Sequence, residues 1–277
     1  MKFTVGKMSI GLIVLGLNTI LYGSVIDLRP IDDTFVLNPG TGNAMHSTSS
    51  DRNFGGSGSL CVAGADAYAY SSEEGILDFP KGLFESVLKF DTSSLAGKQV
   101  SEVALKLYIS NGNRSAKNIF NYLGHEGNFN VYLVNEYWEN GYGTSNLISG
   151  DGLTYDSLHG NILTDSNSEL LDTLYYDAVN GYGEPQWYEF SLSLENESFL
   201  SAIEAGEEIS LYLSPEDSDM CFNFSAYIQQ SSEPDMDTYR DNGAYLSVLV
   251  PEPSILLMLA VSGFGCLRNR SSSRAKN

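Results

Sequence analysis

Between Asp33 and Val250 the apolar residues come in short runs or at every second position, broken by Gly, Asn, Asp and Ser. In Val103–Ile109, Val103, Leu105, Leu107 and Ile109 share one parity, while Ala104, Lys106 and Tyr108 take the other. That period of two belongs to a half-buried strand. The same pattern predicts strands over Thr34–Leu37, Ser59–Ala63, Leu83–Phe90, Val100–Ser110, Phe129–Val134, Gln186–Leu192, Glu208–Leu213, Met220–Ile228 and Ala244–Val250. One helix is expected over Glu195–Ala205. Phe199, Leu200 and Ile203 fall on one side of it, Asn196 can cap it and Gly206 can end it. The Gly-rich stretch from Asn140 to Asn161 reads as an insertion between strands, and no repeat or linker divides the body. Many short strands and one short helix predict an all-β fold, a jelly-roll-like antiparallel β-sandwich over residues 24–250.

The two ends follow another pattern. Lys2 and Lys7 lead into an apolar run from Met8 to Tyr22, the form of a secretory signal peptide over residues 1–23. At the other end Pro251-Glu252-Pro253 precedes the apolar stretch Ser254–Leu267, and Arg268, Arg270, Arg274 and Lys276 follow. A short motif, an apolar segment and a basic cluster make a membrane-stalling signal whose basic end stays cytoplasmic. The apolar stretch is short for a stable span of about 20 residues, which suits transient insertion. Residues 251–277 resemble the bacterial PEP-CTERM sorting signal. The resemblance implies processing by an exosortase as partner, a Gram-negative-type envelope and an association with exopolysaccharide. Its plainer alternative is a tail anchor.

Charge sharpens what the body can meet. The chain carries 15 Lys+Arg against 35 Asp+Glu. Without the two end segments, nine basic residues face 34 acidic ones, near −25. Nucleic acid is excluded as a partner, because a phosphate backbone needs a basic surface. Such a surface also repels other anionic polymers unless cations mediate.

Several pieces of the body are similar to the DNRLRE-type carbohydrate-binding modules of secreted bacterial proteins. They are Asp33–Val36, Asp51-Arg52-Asn53-Phe54-Gly55 before Leu60-Cys61-Val62, Val87–Leu95 followed by Val100–Tyr108, Val131–Val134 with Trp138-Glu139, Trp187–Ser191 and Asn242–Val248. The resemblance implies a jelly-roll sandwich that binds extracellular polysaccharide. It also lends structural roles to Asp33, Asp51, Asn53 and Asp91. The long stretches Ala65–Gly82, Asn111–Asn128 and Tyr137–Tyr182 depart from the pattern, and loops carry specificity on such scaffolds.

The candidate chemistry follows from these groups. Flat Tyr and Trp faces stack on pyranose rings, so Tyr137, Trp138, Tyr142, Tyr175, Tyr176 and Tyr182 are candidate sugar-binding residues, with Tyr68 and Tyr70 a further group. The opposing expectation places aromatics in the core, above all Trp138 and Trp187, which adjoin strands. Asp33, Asp51, Asn53 and Asp91 are candidate oxygen ligands for calcium, against ordinary turn formation by Asp and Asn. Cys61 and Cys221 either form a disulfide or stay as two buried thiols. His46, His125 and His159 stand without metal-ligand spacing. Acidic pairs drawn from Glu136, Glu139, Asp151 and Asp156 are no more than such a composition supplies, and no nucleophile elbow is present. The expectation is an exported, non-catalytic cell-surface or matrix protein that binds polysaccharide. The alternatives are a purely structural matrix protein and a polysaccharide lyase or hydrolase.

Overall fold

The computed structural model describes residues 23–39, 50–71, 75–80, 82–109, 125–144, 147–149, 151–177, 186–229 and 237–252, with 68–80 as backbone alone. The expected signal segment, Tyr182, Pro253 and the apolar and basic parts of the tail lie outside the described residues. Among the described residues no helix is long and apolar enough to cross a membrane.

The fold is all-β, an antiparallel curled sheet closed into a sandwich. Its strands are β1 (Gly23–Leu28), β2 (Pro30–Asn38), β3 (Ser59–Ala63), β4 (Tyr68–Ser71), β5 (Gly75–Pro80), β6 (Leu83–Asp91), β7 (Glu102–Ile109), β8 (Gly127–Val134), β9 (Ser168–Tyr176), β10 (Gln186–Leu192), β11 (Glu208–Pro215), β12 (Cys221–Ser225), β13 (Ile228–Gln229), β14 (Thr238–Tyr239) and β15 (Tyr245–Pro251). One face of the sandwich runs β2-β6-β11-β8-β9, and the other runs β1-β15-β7-β10. The β3–β12 pair joins them, touching β6 at Ala63–Phe84 and β7 at Phe224–Ile109. Where β3 leaves β6, the buried Ser86 hydroxyl takes over from the ladder. It accepts the Cys61 N–H at 3.1 Å and donates to the Cys61 carbonyl at 2.8 Å.

Alternation places Phe84, Leu88 and Phe90 of β6, Leu105 and Leu107 of β7, and Leu211 and Leu213 of β11 in the core between the faces. The helix α2 (Glu197–Ala205) packs Phe199 and Ile203 against that core. Asn196 caps it, accepting the Phe199 N–H at 2.8 Å, and Gly206 ends it in the left-handed region. The expected strand Met220–Ile228 is broken in two, because Tyr227 and Ile228 turn their N–H groups onto Asp33. Strand β9 went unpredicted. A bulge opposite Val131–Tyr132 destroys its period of two.

The β2-β6-β11-β8 face is buried on both sides. The segment from Asn135 to Leu163 lies across its outer surface and packs Trp138, Leu153, Leu158 and Ile162 onto Val36, Val87, Val134 and Tyr212. That segment holds a second short helix, α1 (Tyr155–Ser157), whose first turn is a capping box between Thr154 and Ser157.

Asp33 is almost fully enclosed and accepts N–H donors from Tyr227 at 2.5 Å and Ile228 at 3.3 Å. Burial wins over those donors and pushes its carboxyl up to about 7. A carboxyl with a raised folded pKa lends stability below its unfolded value of about 4, and the contribution is lost as pH rises through 7. The stability advantage of the wild type over Asp33→Asn, measured by urea unfolding, should therefore shrink steadily from pH 4 to pH 7.5. A gap independent of pH would refute this assignment.

Candidate functional site

Among the described residues, the outer surface of the β1-β15-β7-β10 face carries no second layer like that on the opposite face. Alternation turns Glu102, Ala104, Lys106 and Tyr108 of β7 outward. The registers align Trp187 of β10 with Tyr108, Glu189 and Tyr245 with Lys106, and Ser191 and Ser247 with Ala104. The rows therefore change character along the strands: aromatic, then charged, then small and hydroxylated.

At the aromatic end Trp187 meets Tyr108 of its own row at 5.4 Å and, diagonally across β7, Tyr245 of the Lys106 row at 5.2 Å, both edge to face. Cross-strand aromatic pairs of this kind fix one another's orientation. Trp187 nonetheless keeps 43% of its surface exposed. Arg29 extends the row: its guanidinium lies 4.7 Å from the Tyr245 ring centre and 5.4 Å from that of Tyr227, which in turn contacts the exposed Tyr239. Beside the aromatic row, along the strands, runs a groove of about 500 Å³ floored by Ala104, Ser191 and Ser247 and walled by Val25, Leu194 and Leu249. Lys106 and Glu189 form an ion pair where groove and aromatic row meet. The arrangement offers one exposed indole face, hydroxyl groups and a shallow channel, the elements that hold a glycan ring by stacking and hydrogen bonding.

The sequence-predicted aromatics do not gather into one site. Tyr137 is 70% exposed, lies over the Lys89 ammonium and hydrogen-bonds Glu139 at 2.5 Å, which raises its hydroxyl pKa. It borders a cleft of about 320 Å³ with Lys89, Asn135, Glu136 and Glu208. Tyr175 is exposed too, but it sits opposite Asn128 at one end of β8, whereas Tyr137 follows the other end. Tyr142 is half-buried and donates to Asp151 at 3.4 Å. Two candidates are corrected. Tyr176 is enclosed in the core against Phe222 and Tyr188, because its parity on β9 faces inward. Trp138 is buried on the outer surface of the doubly covered face, where its indole N–H donates to Ser210 at 2.9 Å. The expectation that Trp187 is a core residue is also overturned. Its strand parity is shared with Glu189 and Ser191, a polar set that points outward, and that alternation was the signal available in the sequence.

The four candidate calcium ligands have separate duties. Asp33 holds backbone N–H groups, Asp51 is exposed, and Asp91 accepts the Ser93 N–H at 2.8 Å, which lowers its pKa. Asn53 organises the covering segment. Fully buried, it donates to the carbonyls of Asn140 and Leu153 and accepts N–H groups from Gly55 at 3.0 Å and Gly143 at 3.1 Å. The chain passes so close that a Cβ on Gly143 would meet the Asn53 carbonyl oxygen at 2.1 Å, and Gly141 adopts φ +79°. Among the described residues no three His, Cys, Asp or Glu side chains come together as a metal site. Cys61 and Cys221 are buried thiols. They sit diagonally, because Cys61 pairs with Asn223 and Cys221 with Ala63. A diagonal spacing of about 7–8 Å is too wide for a disulfide.

Glu85 carries the third cluster. Buried on the outer side of β6, it accepts from Tyr212 at 2.5 Å and lies 2.6 Å from His159, whose ring stacks on Tyr155 at 4.2 Å. Burial and the Glu85 carboxylate keep the Tyr212 hydroxyl protonated. His159 is thus a pin that holds the α1 turn to β6.

No protein-family model matches the chain, and no curated protein matches it.

Replacing Asn53 by Ala would leave two buried N–H groups and two carbonyls without partners. Asn53→Ala should cost about 3 kcal/mol in urea unfolding and speed amide exchange across residues 139–153. Unchanged exchange there would remove Asn53 from its organising role.

Proposed function

We propose that the body is a non-catalytic polysaccharide-binding domain of an exported protein, with its binding surface on the outer β1-β15-β7-β10 face. The observation that carries this is Trp187, an exposed indole held by Tyr108 and Tyr245 one row beyond the Lys106–Glu189 pair that lines the near end of the groove. Trp187 belongs to a contiguous aromatic group with Tyr108 and Tyr245, and contiguous apolar patches mark docking sites more than single exposed aromatics do. Two features of the sequence support the export half. The N-terminal apolar run reads as a secretory signal, and the PEP-CTERM-like tail reads as an exosortase substrate that releases or re-anchors the body at the cell surface or in the matrix. Calcium enters as an assisting ion only if an ion bridges the acidic surface and its ligand.

Affinity electrophoresis of the purified protein through gels containing individual polysaccharides, with and without calcium, tests this. Trp187→Ala should weaken retardation by roughly thirty-fold in Kd, the loss of about 2 kcal/mol typical of a central aromatic anchor. Tyr137→Ala, on the other face, should leave it unchanged. Saturable binding lost with Tyr137 and kept without Trp187 would move the site to the Lys89 cleft. No saturable binding to any polysaccharide would leave a structural matrix domain.

A further inference from the structure

We infer that Arg29 is the positioning residue of the aromatic surface, and that the surface meeting a polymer runs across the strands, from Trp187 over Arg29 to Tyr227 and Tyr239. The inference rests on the polysaccharide-binding role proposed above and adds the course of the ligand and the residue that sets it.

Arg29 stands at the corner between β1 and β2, directly before Pro30, which confines its backbone to extended conformations. From there it clamps the turn that ends β14 on Tyr239 and opens β15 at Tyr245. The Gly243 N–H closes that turn on the Arg240 carbonyl at 3.0 Å. Arg29 donates through Nη1 to the Gly243 carbonyl at 2.5 Å and through Nη2 to the Asp241 carbonyl at 3.0 Å. Its plane is used as well, since the guanidinium carbon lies 4.7 Å from the Tyr245 ring centre and 5.4 Å from that of Tyr227. A lysine, with one compact charge, could not hold two carbonyls and two rings at once.

Each ring so placed carries the next. Tyr245 meets Trp187 at 5.2 Å, and on the other side Tyr227 meets Tyr239 at 5.6 Å. Tyr227 is held from behind, because Asp33 accepts its N–H, and it packs so closely on Gly243 that a Cβ there would fall 2.3 Å from the Tyr227 Cα. The members come in turn from β10, β15, the β1–β2 corner and the β13–β14 ribbon, so the row crosses the strands. Trp187 and Tyr239, at its two ends, are exposed, and the members between them are half-buried. The groove runs the other way, and among the described residues no aromatic side chain lines it. Stacking on a sugar ring is therefore offered across the strands and not along them.

The test reads ring position and binding separately. The chain has two tryptophans, so the nitrogen-labelled protein shows two indole N–H resonances, of which Trp187→Phe removes one. Arg29→Met and, to a smaller extent, Arg29→Lys should move the Trp187 resonance and leave that of the buried Trp138 in place, which shows the body folded. Tyr239→Ala should move neither. In affinity gels containing hydroxyethylcellulose, xylan or alginate, Arg29→Met should weaken retardation about ten-fold in Kd and Tyr239→Ala about five-fold, losses in the range of interface anchors. A Trp187 resonance unmoved in both Arg29 variants would overturn the positioning role. Retardation lost in Trp187→Ala but kept in Arg29→Met and Tyr239→Ala would overturn the course across the strands and leave the polysaccharide role standing. Retardation indifferent to Trp187→Ala, or absent from all three gels, would overturn the role itself.

Discussion

Strand β6 is hydrogen-bonded along both edges and buried on both faces, and the rest of the structure answers to that constraint. A strand so enclosed cannot leave a polar side chain unpaired, since an unmatched buried charge costs several kcal/mol. Yet its outer positions hold Glu85 and Lys89. Lys89 is therefore met by Asp32, the Trp138 carbonyl and the Trp138 ring, and Glu85 by Tyr212, Ser214 and His159. Asp32 shares the burden, its carboxyl raised by burial against the pull of Lys89. These pairs specify where the Asn135–Leu163 segment must lie, and Asn53 fixes its loops from below. The insertion is thus an integral second layer.

Covering one face decides the character of the other. The outer surface of the β2-β6-β11-β8 face is spent on packing, so among the described residues the open side of the sandwich is the β1-β15-β7-β10 face. There the strands show the ordinary alternation of a half-solvated sheet. An exposed indole on that background has no packing duty beyond its two tyrosine neighbours. The division also explains why the aromatics of the insertion disperse. Trp138 serves the second layer, Tyr176 the main core, and Tyr137 and Tyr175 sit at opposite ends of β8.

Much of the fold was legible because period two is a local property. Strands β3 and β10 have the expected bounds, and α2 is bounded by the caps Asn196 and Gly206, two residues later at its start than expected. What escaped was set by partners distant in sequence. The bulge that hides β9 exists only against β8, and the break after Ser225 exists because Asp33, nearly two hundred residues earlier, claims two N–H groups. The site was less legible because a loop position does not by itself expose an aromatic, whereas the parity of Trp187 with Glu189 and Ser191 places it on the solvent side of β10. Asn53 was singled out for its oxygen, and its role turned on its amide as well: all four of its hydrogen-bonding capacities are engaged.

The direction of β15 carries a mechanical consequence. Tyr245 opens that strand beside Trp187 and Pro251 closes it, six residues or about 20 Å further on. The channel follows the same axis, from the aromatic row towards Leu249. A force applied at Pro251 therefore acts along the β15 axis and is borne in shear, spread along the ladder between β15 and β7, instead of peeling hydrogen bonds apart one at a time.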